Sequence, residues 1–294
     1  MRKLFAQAVL LRAALLFAPL ALALGLAAPA VAATTAAPLQ HQPWSFSGPT
    51  GMYDQAQLQR GFKVYVEVCS ACHAIQYIHF HNLGDPGGPF WSPKYPNSND
   101  NPYVKALAAS WPRQVTEINA DTGDPSHRKP TSADVLVPPF PNDAAARASN
   151  GGALPPDMSL LAAAREGGPD YIFAILTGFR PTPAGIANAP PGKYYNVAFP
   201  GDLSSYWKGS ADAVPTGGFI SMPPPLTDCK VKFDDGTGCS LQQEARDVSA
   251  FLQWASDPKM DERKQTGIAV MIYLLIFTGI LYASYRQIWR NVAH

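Results

Sequence analysis

Val68-Cys69-Ser70-Ala71-Cys72-His73-Ala74 is the stretch on which the reading of this chain turns. It contains C-x-x-C-H, the attachment signature of a c-type haem. Chemistry dictates the spacing. Two thiols add across the two vinyl groups of one porphyrin, and a two-residue gap on a helical turn lets both reach. The next residue then offers its imidazole to the iron from the same face. Cys69 and Cys72 are therefore the expected thioether residues, and His73 the expected axial ligand of one covalently bound haem c. A zinc site would want a second Cys/His pair at ligand spacing, and a redox dithiol would follow a strand in a βαβ pattern. Neither context surrounds these residues.

Outward from the box, the sequence alternates short helical patterns with long Pro- and Gly-rich stretches. Thr34 to Pro49 has no period and reads as an extended lead-in, with Trp44 and Phe46 packing onto the domain. Asp54 to Val68 has a helical apolar pattern with Asp54 as its N-cap. Gly61 lies in the middle of this helix, at a cost of roughly 1 kcal/mol relative to Ala, so something is expected to pack close to its backbone. Further helices are expected over Asn101–Ile118, kinked or broken at Pro112, and over Asp143–Ala148. One more opens at Leu154-Pro155-Pro156-Asp157 and carries Met158, Leu161 and Ala162. Another runs from Tyr171 to Gly178 with Asp170 as cap. Arg180 to Pro225 is loop-like, and a loop of that length is expected to wrap a cofactor. Ser240 to Ala255 is the last soluble helix, with Ser240 and Gln243 as a capping box. No repeat and no sustained strand-like alternation is present. The fold class is mainly α, with much irregular loop and one C-terminal transmembrane helix.

The two ends of the chain set its compartment. Residues 1–32 read as a signal peptide, with Arg2 and Lys3 at the start, an Ala/Leu-rich middle and Ala30-Val31-Ala32 at the cleavage site. Residues 267–285 are 19 residues without a charge, close to the ~20 that cross a bilayer core. The expected divisions are 1–32, cleaved; 33–262, the periplasmic haem domain; 263–286, the anchor; and 287–294, the cytoplasmic tail. The chain is then a single-pass protein of the inner (cytoplasmic) membrane. Arg263 and Lys264 at one end of the anchor balance Arg286 and Arg290 at the other, so the exported leader, and not the positive-inside count, sets the orientation.

The formal net charge is +1, from 23 Lys and Arg against 22 Asp and Glu; seven of those bases and two of those acids lie outside residues 33–260, which leaves that part at 16 against 20, net −4. A mildly acidic domain suits a basic protein partner and argues against nucleic acid. Four cysteines make two pairs. With Cys69 and Cys72 assigned to the haem, Cys229 and Cys239 form a candidate disulfide in a compartment that permits one.

The second axial ligand decides the chemistry. Two strong ligands leave only electron transfer, whereas an open position admits O₂, peroxide or NO. The candidates are Met52, Met158, Met222 and Met260, with His41, His79, His81 and His127. Met158 sits on an expected helix face, where core packing is the simpler role. Met222 stands in Phe219-Ile220-Ser221-Met222-Pro223-Pro224-Pro225, whose prolines stiffen the loop, and is favoured on chemistry without excluding the others. Arg128 and Lys129 lie in a loop where a solvated charge is the simplest role.

Several runs together resemble the cytochrome c1 family, the haem subunit of the ubiquinol–cytochrome c oxidoreductase (bc1) complex. They are Arg60-Gly61-Phe62-Lys63-Val64-Tyr65, the Cys69–His73 box and Asn150-Gly151-Gly152-Ala153-Leu154-Pro155-Pro156-Asp157. Gly167-Gly168-Pro169-Asp170-Tyr171-Ile172-Phe173, Met222-Pro223-Pro224 and Phe233-Asp234-Asp235-Gly236-Thr237 come next. Asp247 to Pro258 then leads into the single anchor. The resemblance implies that Met222 is the sixth ligand, that Arg128 approaches a haem propionate, and that residues near Leu154, Pro155 and Pro156 wall the haem. It also implies a cytochrome c-like haem domain with long loop insertions, and a complex with cytochrome b and a Rieske iron–sulfur protein, dimeric as a whole. Single electrons would pass from the Rieske protein to a cytochrome c. Pro96–Lys129 and Pro200–Thr216 depart from the family in length, and the Cys229–Cys239 pair matches no family motif. Two rivals remain at this level: a monohaem carrier serving another dehydrogenase or oxidase, and a haem enzyme or gas sensor with an open sixth position.

Overall fold

The computed structural model describes residues 36–291, so the leader assigned to 1–32 lies outside the described residues. Helix α1 spans Gln55–Glu67, and Asp54 caps it by accepting from Gln57 N at 3.1 Å. A turn of 3-10 helix, Cys69–Ala71, comes directly after it. Strand β1 is Ile75–His79, helix α2 Pro102–Ser110, and strands β2, β3 and β4 are Val115–Ile118, Pro125–Arg128 and Val135–Leu136. Helix α3 is Asp143–Ser149 and α4 Pro169–Thr177. Strands β5 and β6 are Tyr194–Asn196 and Gly218–Ile220. Helix α5 is Leu241–Ser256 and α6 Met260–Trp289.

The core forms where α5 crosses α1. Leu58, Phe62, Val64 and Tyr65 from α1 and Val248, Phe251, Leu252 and Trp254 from α5 are all buried. Gly61 stands at the crossing. A Cβ there would overlap the carbonyl oxygen of Asp247 and lie 2.7 Å from Phe251 Cβ, so only Gly lets the two backbones meet. The same crossing carries a buried ion pair. Arg60 Nε donates to Asp247 Oδ2 at 2.7 Å, and its Nη1 donates to Asp235 at 2.8 Å. Lys63 Nζ reaches Asp234 at 2.6 Å. The runs at 60–65 and 233–237, far apart in sequence, are thus one contact in space.

Four local expectations need correction. The helix expected to 118 stops at Ser110, because Trp111 leads into Pro112, whose ring and missing N–H cannot continue it. The chain then forms an exposed hairpin, β2 paired antiparallel to β3 from Val115↔Arg128 to Ile118↔Pro125. The helix expected after Leu154 is a series of turns. Its backbone donors go elsewhere: Met158 N to Ala74 O at 2.8 Å and Ser159 N to the side chain of Asp157 at 2.8 Å. Asp170 is not a cap. Gly168 holds the N-cap position with φ +51°, Pro169 is N1, and the buried Asp170 carboxylate instead receives the lead-in. It meets His41 Nδ1 at 2.8 Å, Gln42 N at 2.9 Å and Trp44 Nε1 at 2.7 Å. Ser240 does cap α5, accepting from Gln243 N at 3.3 Å, but the Gln243 side chain turns to Asp247 and leaves the box half-made.

The three small ladders, β1–β4, β2–β3 and β5–β6, are the strands that periodicity does not reveal. Their longest members are five and four residues, too short for alternation to register. The domain is otherwise helix and irregular loop, as expected. Its last helix, α6, starts three residues after α5 ends and is stapled to the lead-in. Tyr53 N donates to the Asp261 carboxylate at 3.2 Å, and Lys264 Nζ to Phe46 O at 2.6 Å and Gly51 O at 2.9 Å. Beyond these contacts the 30-residue helix is apolar and buries none of its apolar stretch against the rest of the chain, with Leu275 69% exposed. A helix of a soluble core would be covered there, so the length, hydropathy and exposure fit a membrane anchor.

Candidate haem site

The turn Cys69–Ala71 brings the box to one wall of a cavity of about 560 Å³, a size within the usual range for a bound cofactor. Cys69, Cys72 and His73 all line it. His73 N donates to Cys69 O at 2.9 Å, which ties the histidine backbone to the turn that holds the cysteines. Cys69 is buried and Cys72 exposed.

The His73 ring is buried, and its Nδ1 lies 2.8 Å from the carbonyl oxygen of Pro156. That bond assigns the proton to Nδ1 and leaves Nε2 with a free lone pair, the arrangement expected of a metal-ligating histidine. Burial lowers its pKa, which keeps the ring neutral and ligating. Tyr65 Oη, itself buried, donates to the His73 carbonyl at 3.1 Å and holds the backbone of the same residue.

The cavity's other walls come from four separate parts of the chain. Leu154, Pro155 and Pro156 form one side. Tyr171, Ile172, Ile175 and Leu176 present one face of α4. Val248 and Leu252 come from α5, one helical turn apart. Tyr194, Phe199, Ile220, Ser221 and Met222 belong to the long loop after residue 180. That loop therefore wraps the cavity, in keeping with its length. The lining is apolar apart from a few groups, which suits a porphyrin face.

Two of the four candidate methionines reach the wall, Met158 and Met222. Met158 is tied to the His73 side: its N–H bonds Ala74 O, and it stands two residues after the Pro156 carbonyl that holds the ring. Met222 arrives on an independent loop. Met260 is in the core, and Met52 lies on the surface beside Gln265. Among the described residues no histidine other than His73 lines the cavity. His41 is held by Asp170, His79 by Ala133 O and His127 by Thr116.

Arg128 does not join this set. It ends β3, where its guanidinium forks onto Asp134 at 2.7 and 2.8 Å and also bonds Glu117, and it is absent from the cavity wall. The basic residue that does line the cavity is Arg165. A second cation braces the box from behind: Arg113 donates to Ser70 O at 2.5 Å and toward Val137 O. Sequence reasoning misses both. Arg165 carries no pattern that would mark it, and Arg113 sits after a proline where only the fold brings it back to residue 70. Val248 and Leu252 are visible as a helix face, but sequence does not separate core from cofactor wall.

Cys229 and Cys239 are disulfide-bonded, with Cα atoms 4.5 Å apart, and lie outside the cavity. Among the described residues no three His, Cys, Asp or Glu side chains gather as a cage for a bare ion. The residues present fit a haem: two thiols, an oriented imidazole and a thioether on one apolar cavity.

Residues 44–292 match the Cytochrome C1 family. The chain is 40% identical over 295 residues to "Cytochrome c1" of Blastochloris viridis, covering 94% of this chain and 95% of that one. It is 39% identical over 231 residues to "Cytochrome c1, heme protein, mitochondrial" of Kluyveromyces lactis, covering 79% and 69%. It is also 39% identical over 267 residues to "Cytochrome b/c1" of Bradyrhizobium diazoefficiens, where the match covers 84% of this chain but spans only 35% of that longer protein.

Proposed function

This chain belongs to the cytochrome c1 family, haem subunits of bc1 complexes that carry one covalently bound c-type haem, and we propose that Cys69 and Cys72 hold that haem while His73 and Met222 ligate its iron. Family membership implies a complex with cytochrome b and a Rieske protein. The observation that carries the site assignment is the single cavity whose wall joins the box at 69–73 to Met222 on a separate loop.

The bound group supplies a one-electron couple, and the rest is the work of the protein. The Pro156 carbonyl orients the His73 ring and sets its tautomer. Met222, as the second ligand, would bar small molecules and would raise the potential relative to a second imidazole. The apolar walls from α4 and α5 exclude water and keep the surroundings nearly unchanged between oxidation states. With both positions taken, electron transfer would be the only chemistry left to the site, and the family match favours it over a haem enzyme or gas sensor.

We further assign residues 33–262 to the periplasmic side of the inner membrane, 263–286 to the span and 287–294 to the cytoplasm. The export signal at 1–32 and the exposed apolar surface of α6 support this. The electrons go to a cytochrome c, and the net charge of −4 over residues 33–260 favours a basic one; the rate of that encounter falls as salt rises. The complex is assigned as a dimer on family resemblance.

Met222→Leu tests the ligand set. The reduced variant should bind carbon monoxide, which the native protein excludes, and its potential should drop. An unchanged spectrum and potential would mean that Met222 is not the ligand, with Met158 the next residue to examine.

A further inference from the structure

We propose that Asn196 is a positioning residue for the sulfur of Met222, locking the hairpin that carries this sulfur to the helix that walls the cavity. The inference rests on Met222 being the second iron ligand.

Asn196 is fully buried and both ends of its amide are used. Nδ2 donates to the carbonyl of Ile175 in α4 at 2.7 Å, and Oδ1 accepts from Ala198 N at 2.9 Å. Ile175 itself lines the cavity. On the backbone, Asn196 pairs with Gly218 in β6 on one side and bridges Phe179, just past α4, on the other. One residue therefore joins the end of α4, the strand β5 and the strand β6. Its neighbours leave room for it. A Cβ on Gly178 would lie 2.6 Å from Asn196 Oδ1, and one on Gly217, at φ +103°, would overlap Asn196 O.

The chain beyond β6 gives Met222 little hold of its own. Residues 221–226 make no backbone hydrogen bond among the described residues, and Pro223, Pro224 and Pro225 have no N–H to offer. Met222 comes two positions after the last residue of β6. Between β6 and the sulfur the one tie among the described residues is an exposed bond from Lys193 Nζ to Ser221 Oγ at 3.3 Å, so the register of β5 on β6 is the last buried fixed point, and the Asn196 amide ties that register to α4. A ligand atom must be held to within about 0.5 Å for its geometry to persist. Without the bond to Ile175 O, the ties left between α4 and the hairpin are backbone bonds just past the helix, Val197 N to Gly178 O at 3.0 Å and Arg180 N to Tyr195 O at 3.2 Å, which alone do not hold the sulfur to that tolerance.

The test uses the purified membrane complex and four variants: Asn196→Asp, Asn196→Ser, Met222→Leu and Leu136→Ala. Asn196→Asp is isosteric and keeps the acceptor for Ala198 N but loses the donor to Ile175 O. Asn196→Ser is smaller and keeps the experiment open if the aspartate does not accumulate. Leu136→Ala empties a core position in β4, away from the hairpin. The readouts are carbon monoxide binding by the reduced protein, the midpoint potential and the sulfur-to-iron charge-transfer absorption. Asn196 variants should raise the carbon monoxide-competent fraction roughly tenfold, the factor that a lost buried hydrogen bond carries. Their potential should lie between wild type and Met222→Leu, with a weakened absorption. Leu136→Ala should lower thermal stability and move none of the three. If Met222→Leu opens the site while the Asn196 variants keep native values, Asn196 is merely structural and the inference is overturned. If Met222→Leu itself changes nothing, the ligand assignment fails, and this inference fails with it.

Discussion

Gly61→Ala sets helix propensity against packing at the crossing of α1 and α5. Propensity alone favours Ala by about 1 kcal/mol in the middle of a helix. The structure predicts the opposite sign. The added Cβ would overlap the Asp247 carbonyl oxygen and sit 2.7 Å from Phe251 Cβ, and a backbone oxygen cannot rotate away. To restore ordinary contact near 3.5 Å the helices must part by about 1 Å, which forfeits a quarter to a half of the dispersion energy of the contacts that open. Overpacking of this kind costs about 1–3 kcal/mol, and a clash with backbone belongs at the upper end. Subtracting the propensity gain leaves a net loss of about 2 kcal/mol, or about 4–8 °C in the unfolding midpoint for a chain of this size. Far-UV circular dichroism melts of the detergent-purified subunit measure it. The haem absorption should shift as well, because Val248 and Leu252 on the displaced helix line the cavity. A midpoint equal to or above that of wild type would refute the backbone contact at Gly61.

Two more outcomes concern a buried carboxyl and the loop at 229–239. Glu244 is fully buried, with Oε1 accepting from Val231 N at 2.8 Å and Oε2 without a partner. Burial raises its carboxyl above the ordinary value, so the folded state keeps a proton that the unfolded chain releases. The penalty is absent below about pH 4, grows as pH rises through the unfolded value near 4.3, and is complete above the folded one. Glu244→Gln should therefore be more stable than wild type at pH 7 and match it near pH 4 in denaturant titrations; equal stability at both ends would show that the carboxyl is not strained. Cys229→Ser opens a loop of sequence separation 10, worth about 2–3 kcal/mol in the chain-entropy model. It should lower the midpoint without altering the haem spectrum, and a spectral change would tie the disulfide to the site.

Much of this arrangement is legible in the residues, and the pattern of success has physical causes. The box at 69–73, the Asp54 cap and the close approach at Gly61 are local or nearly so, and local chemistry is what sequence encodes most directly. Met222 is favoured in the sequence because the prolines after it stiffen its loop, and the fold puts it, like Met158, on the cavity wall. Asp170 reads as a cap because an aspartate before a helical run usually caps; here Pro169 and Gly168 start the helix, and the carboxylate is free to bind His41, Gln42 and Trp44 from 126 to 129 positions away. The turns after Leu154 and the hairpin at 115–128 escape sequence reasoning for a related reason. Their hydrogen bonds run to partners that no window of sequence contains. Arg128 shows how a resemblance can name a residue without its contacts, since Asp134 and Glu117 take up its guanidinium.

The junction between domain and anchor fixes how the redox centre sits over the lipid. Only Asp257, Pro258 and Lys259 separate α5, which walls the cavity, from α6. The staples from Tyr53, Phe46 and Gly51 then grip the first turns of α6. From Met260 to the first residue of the uncharged run at Gly267 the helix rises about 10 Å. The haem domain is therefore carried on a mast and not on a leash. The three staples oppose a swing of the domain about the first turns of α6. The same stiffness makes bilayer thickness a variable of electron transfer: a lipid mismatch that tilts α6 re-aims the mouth of the cavity by the same angle.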